Sequence, residues 1–304
     1  MHIKKLSAEI GVGITGIDLR RGVSPEARAQ LQALIDQHSL LSFPGQQLSP
    51  EEQEDFTALF GPKTDEGGRG TFHGFISNKR VDSGVHADAA LMWHSDNAWS
   101  PAPTHYIALG GHHVEGDLSP TLFASAARAA RELPAELRGQ VQSLNVINLA
   151  DLAPPPEGDV PRSRVPVPEQ REMAQALPED HYFYPRTVYP ILWTHPRTGD
   201  ELVFVNEHMS ICIEGMDPAQ SEPILASLFE ILYDPAYIYE HAWRQGDLVI
   251  WDNLALQHGR RAFHGKPGVR TLIRTTINPA QDLYLTHGKR VADFAETLER
   301  AAGN

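Results

Sequence analysis

The segment LMWHSDNAW, residues 91–99, carries two potential metal ligands inside a mostly apolar run. His94 and Asp96 are at positions i and i+2, which share one face of a β-strand. Burying an imidazole and a carboxylate side by side without partners would cost free energy. The spacing therefore predicts a strand that presents both side chains to something they bind.

A third ligand is available in GDLVIWDNLALQHGRRAFHG, residues 246–265. His258 follows a strongly apolar predicted strand, so its side chain can face a cavity. Two histidines and one carboxylate on one face of Fe(II) form a facial triad with open coordination positions. The same donors also suit Zn²⁺ in a hydrolase. Because the chain has 15 histidines, a chance arrangement is the other alternative.

Two arginines follow in VRTLIRTTI, residues 269–277. Arg270 and Arg274 are at positions i and i+4 of a predicted strand, so their guanidinium groups would point the same way. Each can hold a carboxylate through paired hydrogen bonds. Surface ion pairs are the alternative, but the apolar residues between and after the arginines count against a fully solvated strand.

The elements that must position these residues are mostly short strands with helices outside them. Helices are predicted after Ser24 and Ser49, where Ser-Pro opens a helical apolar period. One helix is predicted over SAARAARELPAELRGQVQSL, residues 125–144, and a hairpin around HPRTGD, residues 195–200. The proline-rich segment 152–180 is predicted to be a flexible surface loop. Nothing indicates a linker, so we expect a single domain over residues 1–304.

The composition limits the classes of partner and the compartment. The formal net charge of -13 argues against nucleic acid or an anionic membrane as partner. The single cysteine, Cys212, allows no intrachain disulfide and fits a reducing compartment. We find neither a signal peptide nor a run long enough to span a membrane. A cytoplasmic location is therefore expected.

Several motifs together resemble the taurine dioxygenase (TauD/TfdA) family of Fe(II)- and 2-oxoglutarate-dependent dioxygenases, which includes aryloxyalkanoate dioxygenases. They follow in order along nearly the whole chain: GVGITGIDL, HSLLSFPGQQLSPEEQEDFTALFGP, FISN, WHSD, THPRTGDELVFVNEHMSICIEGM, GDLVIWDNLALQH and RTLIRTT. The resemblance implies a mostly β fold with peripheral helices, the double-stranded β-helix or cupin-like jelly roll, whose cavity can hold a metal.

The resemblance also implies roles for single residues. His94, Asp96 and His258 would be the iron ligands. Arg270 would grip the distal carboxylate of 2-oxoglutarate, helped by Thr121, although the family's GGDT motif reads GDLSPT here. Arg274 would hold the anionic end of the primary substrate, and it is also the alternative for the cosubstrate arginine.

The resemblance implies an activity that uses Fe(II), 2-oxoglutarate and O2. A C–H bond of a small anionic organic substrate would be hydroxylated, with release of succinate and CO2, and with bond cleavage if the carbon bears an ether, amine or sulfonate. His73 and Asn78 would line the substrate pocket, with a surface loop as the alternative. An aryloxyalkanoate-like or amino-acid-like acid is the first expectation for the substrate. By analogy we expect a homo-oligomer, a dimer or tetramer.

Two other classes of protein stay open from the residues alone. One is a non-catalytic jelly-roll binding protein that keeps the fold without the reaction. The other is a Zn-dependent hydrolase that uses two histidines and a carboxylate. Arg270 and Arg274 argue against both, because neither class needs an arginine clamp for 2-oxoglutarate.

Overall fold

The computed structural model describes residues 1–65, 70–80, 83, 90–100, 102–116, 118–149, 186–263 and 265–278. The predicted loop 152–180 lies outside these residues. In chain order, the described strands are β1 (His2–Lys5), β2 (Val12–Thr15), β3 (Leu40–Phe43), β4 (His73–Ser77), β5 (Leu91–His94), β6 (Tyr106–Glu115), β7 (Thr121–Ser125), β8 (Asn145–Leu149), β9 (Arg186–Pro190), β10 (Leu192–Thr194), β11 (Glu201–Val203), β12 (Ser210–Ile213), β13 (Tyr239–His241), β14 (Leu248–Asp252), β15 (Leu256–Arg260) and β16 (Val269–Ile277).

The described helices lie between these strands. The α-helices are α1 (Pro25–His38), α2 (Pro50–Thr57), α3 (Ala126–Glu132), α4 (Ala135–Val141) and α5 (Pro218–Leu232), and the short 3-10 helices are Leu19–Arg21, Ala58–Phe60 and Pro235–Tyr237. Among the described residues, none of these helices has the length and apolar character needed to cross a membrane.

Two sheets make up the centre of the fold. Within the described residues, the larger sheet has the order β1-β2-β3-β14-β6-β16-β4 and the smaller has the order β13-β7-β15-β5. Their strands pair antiparallel, except β2 with β3. The strands interleave in sequence, which is the arrangement of a jelly roll. The predicted double-stranded β-helix is therefore confirmed.

The inner faces of the two sheets pack on each other. Ile107, Val249 and Trp251 of the larger sheet share an apolar cluster with Phe123 and Leu256 of the smaller sheet. The rings of Phe123 and Trp251 meet edge to face at 5.2 Å. This contact fixes the spacing of the sheets because packed interiors leave little room for adjustment.

The outer face of the larger sheet is covered by α1 and α2. Both helices begin as predicted: Ser24 and Ser49 accept backbone N–H groups at the N-cap, and a proline occupies the first turn. In α2 the side chain of Glu52 completes a capping box with Ser49. Leu31 and Ile35 of α1 are fully buried against this sheet.

The prediction of a single helix over residues 125–144 was wrong. The chain forms α3 and α4 instead, and Leu133, between them, has extended backbone angles (φ -58°, ψ 124°). Pro134 follows directly and lacks the N–H that a continuous helix needs, and its ring disfavours a helical conformation in the residue before it. The apolar pattern typical of a helix therefore continues across residues that are not helical.

A buried ionic network ties the β10–β11 hairpin to the end of β14. The Nδ1 atom of His195 accepts the backbone N–H groups of Arg197 and Thr198, so its Nε2 carries the proton and donates to Asp252 Oδ2 at 3.0 Å. Arg197 donates to the same oxygen and to Asp36. The other oxygen of Asp252 accepts the backbone N–H groups of the β14–β15 turn.

Replacing Asp252 with asparagine should test this network. Burial alone would raise the pKa of Asp252, but His195 and Arg197 lower it. Because the folded pKa lies below the unfolded value of ~3.9, the carboxylate stabilises the fold above that pH and stops doing so as pH falls through the folded pKa. We expect Asp252→Asn to lose about 2–3 kcal/mol of unfolding free energy at pH 7, since it removes charge-assisted hydrogen bonds and leaves buried donors unpaired.

The measurement is urea unfolding at pH 7 and in acid, where the difference between the two proteins should shrink. Asp36→Asn is the control, because it removes the more exposed carboxylate on the same arginine and should cost under ~1 kcal/mol. Equal losses for both variants would contradict a special role of the buried carboxylate.

Candidate active site

A cavity of about 580 Å³ lies between the two main sheets. Both sheets contribute to its wall, and so do segments next to them. The lining includes most of the residues predicted from the sequence: His73, His94, Asp96, Thr121, His258, Arg270 and Arg274. Such a volume suits a small organic ligand.

Strand pairing brings the two predicted histidine ligands together. His94 ends β5, and His258 lies directly opposite it on β15. Directly opposed residues of an antiparallel pair point to the same face. The two imidazole rings accordingly lie 4.2 Å apart, centre to centre.

Asp96 reaches the histidines by a different route from the one predicted. The expectation that it shares a strand with His94 was wrong, because β5 ends at His94 and Asp96 begins a turn. The next residue, Asn97, has a left-handed φ of 60°. Asparagine tolerates this conformation better than most residues. The turn still directs the Asp96 carboxylate into the cavity, with Oδ1 3.1 Å from His94 Nε2 and 3.8 Å from His258 Nε2.

The three side chains meet the geometric requirement for a metal. Their ligand atoms all lie within 4.8 Å of one another, and among the described residues this is the one group of its kind. Metal–ligand bonds of ~2.1 Å at right angles separate neighbouring donors by ~3.0 Å. Two imidazole nitrogens and one carboxylate oxygen at these distances fit Fe(II).

Hydrogen bonds and charges set the protonation of the group. His94 Nδ1 lies 2.7 Å from the carbonyl oxygen of Met92, which can only accept, so Nδ1 carries a proton and Nε2 faces Asp96. Burial and the neighbouring His94 lower the pKa of His258 to about 3. Burial opposes ionisation of Asp96, but His94 and His258 lower its pKa.

The pKa of His94 is displaced the other way. Burial favours its neutral ring, but the hydrogen bond and charge of Asp96 raise the pKa. At neutral pH the group therefore offers a carboxylate and a neutral His258, and any proton on His94 Nε2 must leave before this nitrogen binds a metal.

Arg270 presents buried hydrogen-bond donors that suit an anion, further along the cavity. Its side chain comes from β16 of the larger sheet and reaches across to β7, where Nη2 donates to Thr121 Oγ1 at 3.2 Å. Only 2% of the residue is exposed, and within the described part of the chain Nε and Nη1 have no hydrogen-bond partner. Buried donors of this kind are costly unless a ligand accepts them.

Two neighbours shape the surroundings of Arg270. Trp243 Nε1 donates to Thr121 Oγ1 at 2.9 Å, so this hydroxyl is held by donors from two elements. Arg260 lies opposite Thr121 on β15. Burial, with a contribution from the charge of Arg260, lowers the pKa of Arg270 to about 9, which still leaves it protonated at neutral pH.

Arg274 connects the metal-ligand group with the rest of the cavity. Its Nη2 donates to Asp96 Oδ2 at 2.6 Å. The two oxygens of Asp96 therefore have different partners, Oδ1 the histidines and Oδ2 the arginine. Arg274 is partly exposed to the cavity, where it can also meet a ligand.

The two residues predicted to line the substrate pocket are placed differently from each other. His73 belongs to the cavity wall, and its Nδ1 lies 2.7 Å from Glu54 Oε1 on α2. Asn78 is not part of the described lining. Its carboxamide instead accepts the backbone N–H of Arg270 and donates to the carbonyl of Gly268, so it fixes the start of β16.

Sequence reasoning missed two residues that contact the site. Asn253 bonds the backbone of Asp96 and is fully buried. Its signal in the sequence is a polar residue between two apolar strands, on the hairpin that carries His258. Trp243, which bonds Thr121, has no local signal, because its neighbour in space is distant in sequence.

The family described as "Taurine catabolism dioxygenase TauD, TfdA family" matches residues 2–276 of this sequence. The chain belongs to this family. It is an enzyme, a 2-oxoglutarate-dependent dioxygenase that uses Fe(II), 2-oxoglutarate and O2. The hydrolase and the non-catalytic binding protein are not favoured.

Relatives with stated activities agree with this membership. An alpha-ketoglutarate-dependent 2,4-dichlorophenoxyacetate dioxygenase of Cupriavidus pinatubonensis is 28% identical over 270 residues, covering 82% of this chain and 88% of the relative. An (S)-phenoxypropionate/alpha-ketoglutarate-dioxygenase of Sphingobium herbicidovorans is 27% identical over 269 residues, covering 84% and 88%. An alkylsulfatase of Acinetobacter baylyi is 26% identical over 263 residues, covering 85% and 79%.

Solved structures share the fold. A taurine dioxygenase from Burkholderia xenovorans superposes with a TM-score of 0.73 at 25% identity, covering 91% of this chain and 90% of that one. AAD-2 in complex with Mn(II) and N-oxalylglycine gives a TM-score of 0.73 at 22% identity, covering 92% and 98%, and supports the fold alone.

Removing the guanidinium of Arg270 should weaken 2-oxoglutarate binding. Arg270→Met keeps the length of the side chain but removes its charge and donors. We expect at least ~30-fold weaker binding, since losing one partner of a buried charged pair costs roughly 2–5 kcal/mol. Thr121→Val should weaken 2-oxoglutarate binding about 5–10-fold, the effect of losing a single hydrogen bond.

The measurement is an anaerobic titration of 2-oxoglutarate into the Fe(II)-loaded protein, followed by the visible charge-transfer absorption. Thr57→Val is the control, because it removes a buried hydroxyl of α2 that bonds Thr275, outside the described cavity lining. Unchanged 2-oxoglutarate affinity in Arg270→Met would remove this arginine from the cosubstrate site.

Proposed function

We propose that this dioxygenase binds Fe(II) through His94, Asp96 and His258 and oxidises a small organic acid held by Arg274. The observation that carries the proposal is the set of two imidazole nitrogens and one carboxylate oxygen facing one cavity, with Arg274 on the second carboxylate oxygen. An acid bound by Arg274 would lie beside the triad, so its nearest carbon atoms would be within reach of the metal.

We further propose that Arg270 and Thr121 hold the distal carboxylate of 2-oxoglutarate. The buried, unpaired Nε and Nη1 atoms of Arg270 support this role among the described residues, because a carboxylate would accept both. Iron, 2-oxoglutarate and O2 supply the oxidation, in which a substrate C–H bond is hydroxylated and the cosubstrate becomes succinate and CO2.

In this proposal the chain itself contributes orientation, charge and exclusion of water. Neutral His258 and ionised Asp96 are ready to act as ligands without changing protonation. The fork of Arg270 orients the dicarboxylate along the cavity, while the Asp96–Arg274 pair fixes which oxygen of Asp96 faces the two histidines. The surrounding apolar walls limit solvent access, which strengthens each of these charged interactions.

The walls of the cavity support an apolar or aryl body for the substrate. Phe72, Met92, Trp99 and Met209 are part of the lining. Thioether and aromatic side chains pack well against aromatic rings. Relatives act on phenoxy acids and, by name, on an alkyl sulfate. We therefore favour an aryloxyalkanoate-like acid, whose ether bond would break once the adjoining carbon is hydroxylated.

We also propose that residues 1–304 act as one dioxygenase domain in the cytoplasm, assembled as a dimer or tetramer. The chain has one cysteine and therefore no intrachain disulfide, which supports a reducing compartment. The oligomer is proposed by analogy with proteins of this fold, and light scattering of the purified protein would measure its mass.

The metal assignment should be tested by spectroscopy of the anaerobic protein. Adding Fe(II) and 2-oxoglutarate should give the weak visible charge-transfer band, and His94→Ala should abolish it because one ligand is lost. Chelation of the metal should reverse the band. Glu54→Gln is the control, since Glu54 bonds His73 and does not belong to the triad. A folded wild-type protein without the band would contradict the proposed ligand set.

Substrate recognition should depend on Arg274 and on the charge of the acid. With phenoxyacetate as probe, Arg274→Gln should raise KM for the acid by ~100-fold, about the ~2–3 kcal/mol of a charge-assisted bond. Its KM for 2-oxoglutarate should stay within ~3-fold, and the uncharged methyl ester should be a poor substrate of the wild type. The readout is succinate release at saturating Fe(II). A parallel loss for 2-oxoglutarate would assign Arg274 to the cosubstrate instead.

A further inference from the structure

The backbone of Asp96 is fixed by the side chain of another residue, whereas its two proposed co-ligands are fixed by strand pairing. His94 and His258 face each other in the β5–β15 ladder. Asp96 comes after the end of β5, so no strand partner fixes its peptide groups. The backbone N–H and C=O of Asp96 are instead both bonded to the carboxamide of Asn253.

Both N–H donors and the oxygen of the Asn253 carboxamide are hydrogen-bonded. Its Oδ1 accepts the N–H of Asp96 at 2.9 Å. Its Nδ2 donates to the carbonyl oxygens of Asp96 and Thr104, at 3.0 Å and 2.8 Å. A flipped amide would set NH2 against an N–H and oxygen against two carbonyls, so the network determines the orientation. Asn253 has 0% exposure, so water cannot replace these bonds.

Asn253 also links Asp96 to the hairpin of His258. It lies in the turn between β14 and β15, and its own N–H donates to the carbonyl of His105. The preceding residue, Asp252, caps the same turn and is braced by His195 and Arg197. The carboxamide of Asn253 therefore ties the peptide groups of Asp96 to the hairpin of His258, whereas strand pairing ties the two histidines.

We propose that Asn253 is a positioning residue that sets the backbone of Asp96 so that its carboxylate completes the metal site. It acts through Asp96 and touches neither metal nor substrate. The inference rests on the proposed ligand set. It predicts that Asn253 determines metal affinity, whereas a purely structural asparagine would affect only the stability of the fold.

Asn253→Asp is the sharpest substitution because it keeps the shape and the acceptor but loses both donors. The added negative charge would by itself favour a divalent cation, so weaker binding would report lost positioning. Asn253→Ser removes both amide donors without adding a charge, leaves only a shorter hydroxyl, and serves if the first variant does not fold. Asn278→Asp is the matched control, since Asn278 is equally buried and donates to the nearby carbonyl of Ala102.

The probe is Ni(II), which suits imidazole ligands and is stable in air. Its dissociation constant is measured by calorimetry on untagged, metal-free protein, and the melting temperature is recorded for each variant. We expect both Asn253 variants to weaken Ni(II) binding by ~10–100-fold, the range for partners that orient ligands. Asn278→Asp should stay within ~3-fold, even with a similar loss in melting temperature.

A double-mutant comparison separates an effect on the position of Asp96 from a general loss of structure. In Asp96→Ala the effect of Asn253→Asp on Ni(II) binding should fall below ~3-fold, because no carboxylate is left to misplace. Folded Asn253 variants that bind Ni(II) like the wild type would overturn the inference, as would an undiminished effect in the Asp96→Ala background. Equal binding by wild type and Asp96→Ala would overturn the ligand set and the inference with it.

Discussion

The antiparallel pairing of β15 with β5 and β7 is the constraint on which the rest of the site depends. It sets His258 opposite His94 on one side and opposite Phe123 on the other. Because side chains alternate between faces, a slip of one residue would turn His258 away from the cavity. Leu256 of β15 is buried in the apolar cluster with Phe123 and Trp251, and the same slip would turn it out of that cluster, so the apolar core favours the register that the imidazoles need.

The larger sheet supplies the positive charge of the cavity that His94 and His258 face. Arg270 and Arg274 project from β16, and each reaches a residue of the smaller sheet or the turn after it. Arg274 is paired with Asp96 within the protein, whereas Arg270 keeps buried donors without described partners. The fold thus carries an electrostatic cost at Arg270 that an anionic ligand would offset. Such a cost is typical of binding sites, where stability is given up for affinity.

Local patterns were enough to predict much of this molecule. Helix starts at Ser24 and Ser49 could be predicted because capping depends on neighbouring residues. Apolar patterns located the strand that ends at His94, the strand before His258 and the strand of Arg270 and Arg274, and the motifs identified the triad candidates. The break at Pro134 was also visible in the sequence, but the apolar period of the two flanking segments masked it.

The features that escaped prediction depend on pairs of residues that are distant in sequence. The carboxamide of Asn253 meets the backbone of Asp96 across 157 residues, and Arg274 meets the Asp96 side chain across 178. Ser95, Asp96 and Asn97 favour a turn, but the carboxamide that bonds the peptide groups of Asp96 comes from the other hairpin. Asn78 was assigned to the substrate pocket by family position, but its hydrogen bonds to the backbone at Arg270 and Gly268 appear only in three dimensions.

The same long separations bear on how the enzyme acquires its iron. In a growing or unfolded chain the histidines of the two hairpins are independent groups, and a partly made site would hold a metal only weakly. Folds with such non-local strand pairing close late and slowly, because loop closure must precede the contacts that reward it. We therefore expect iron to enter a largely folded jelly roll, so that maturation of the holoenzyme follows folding.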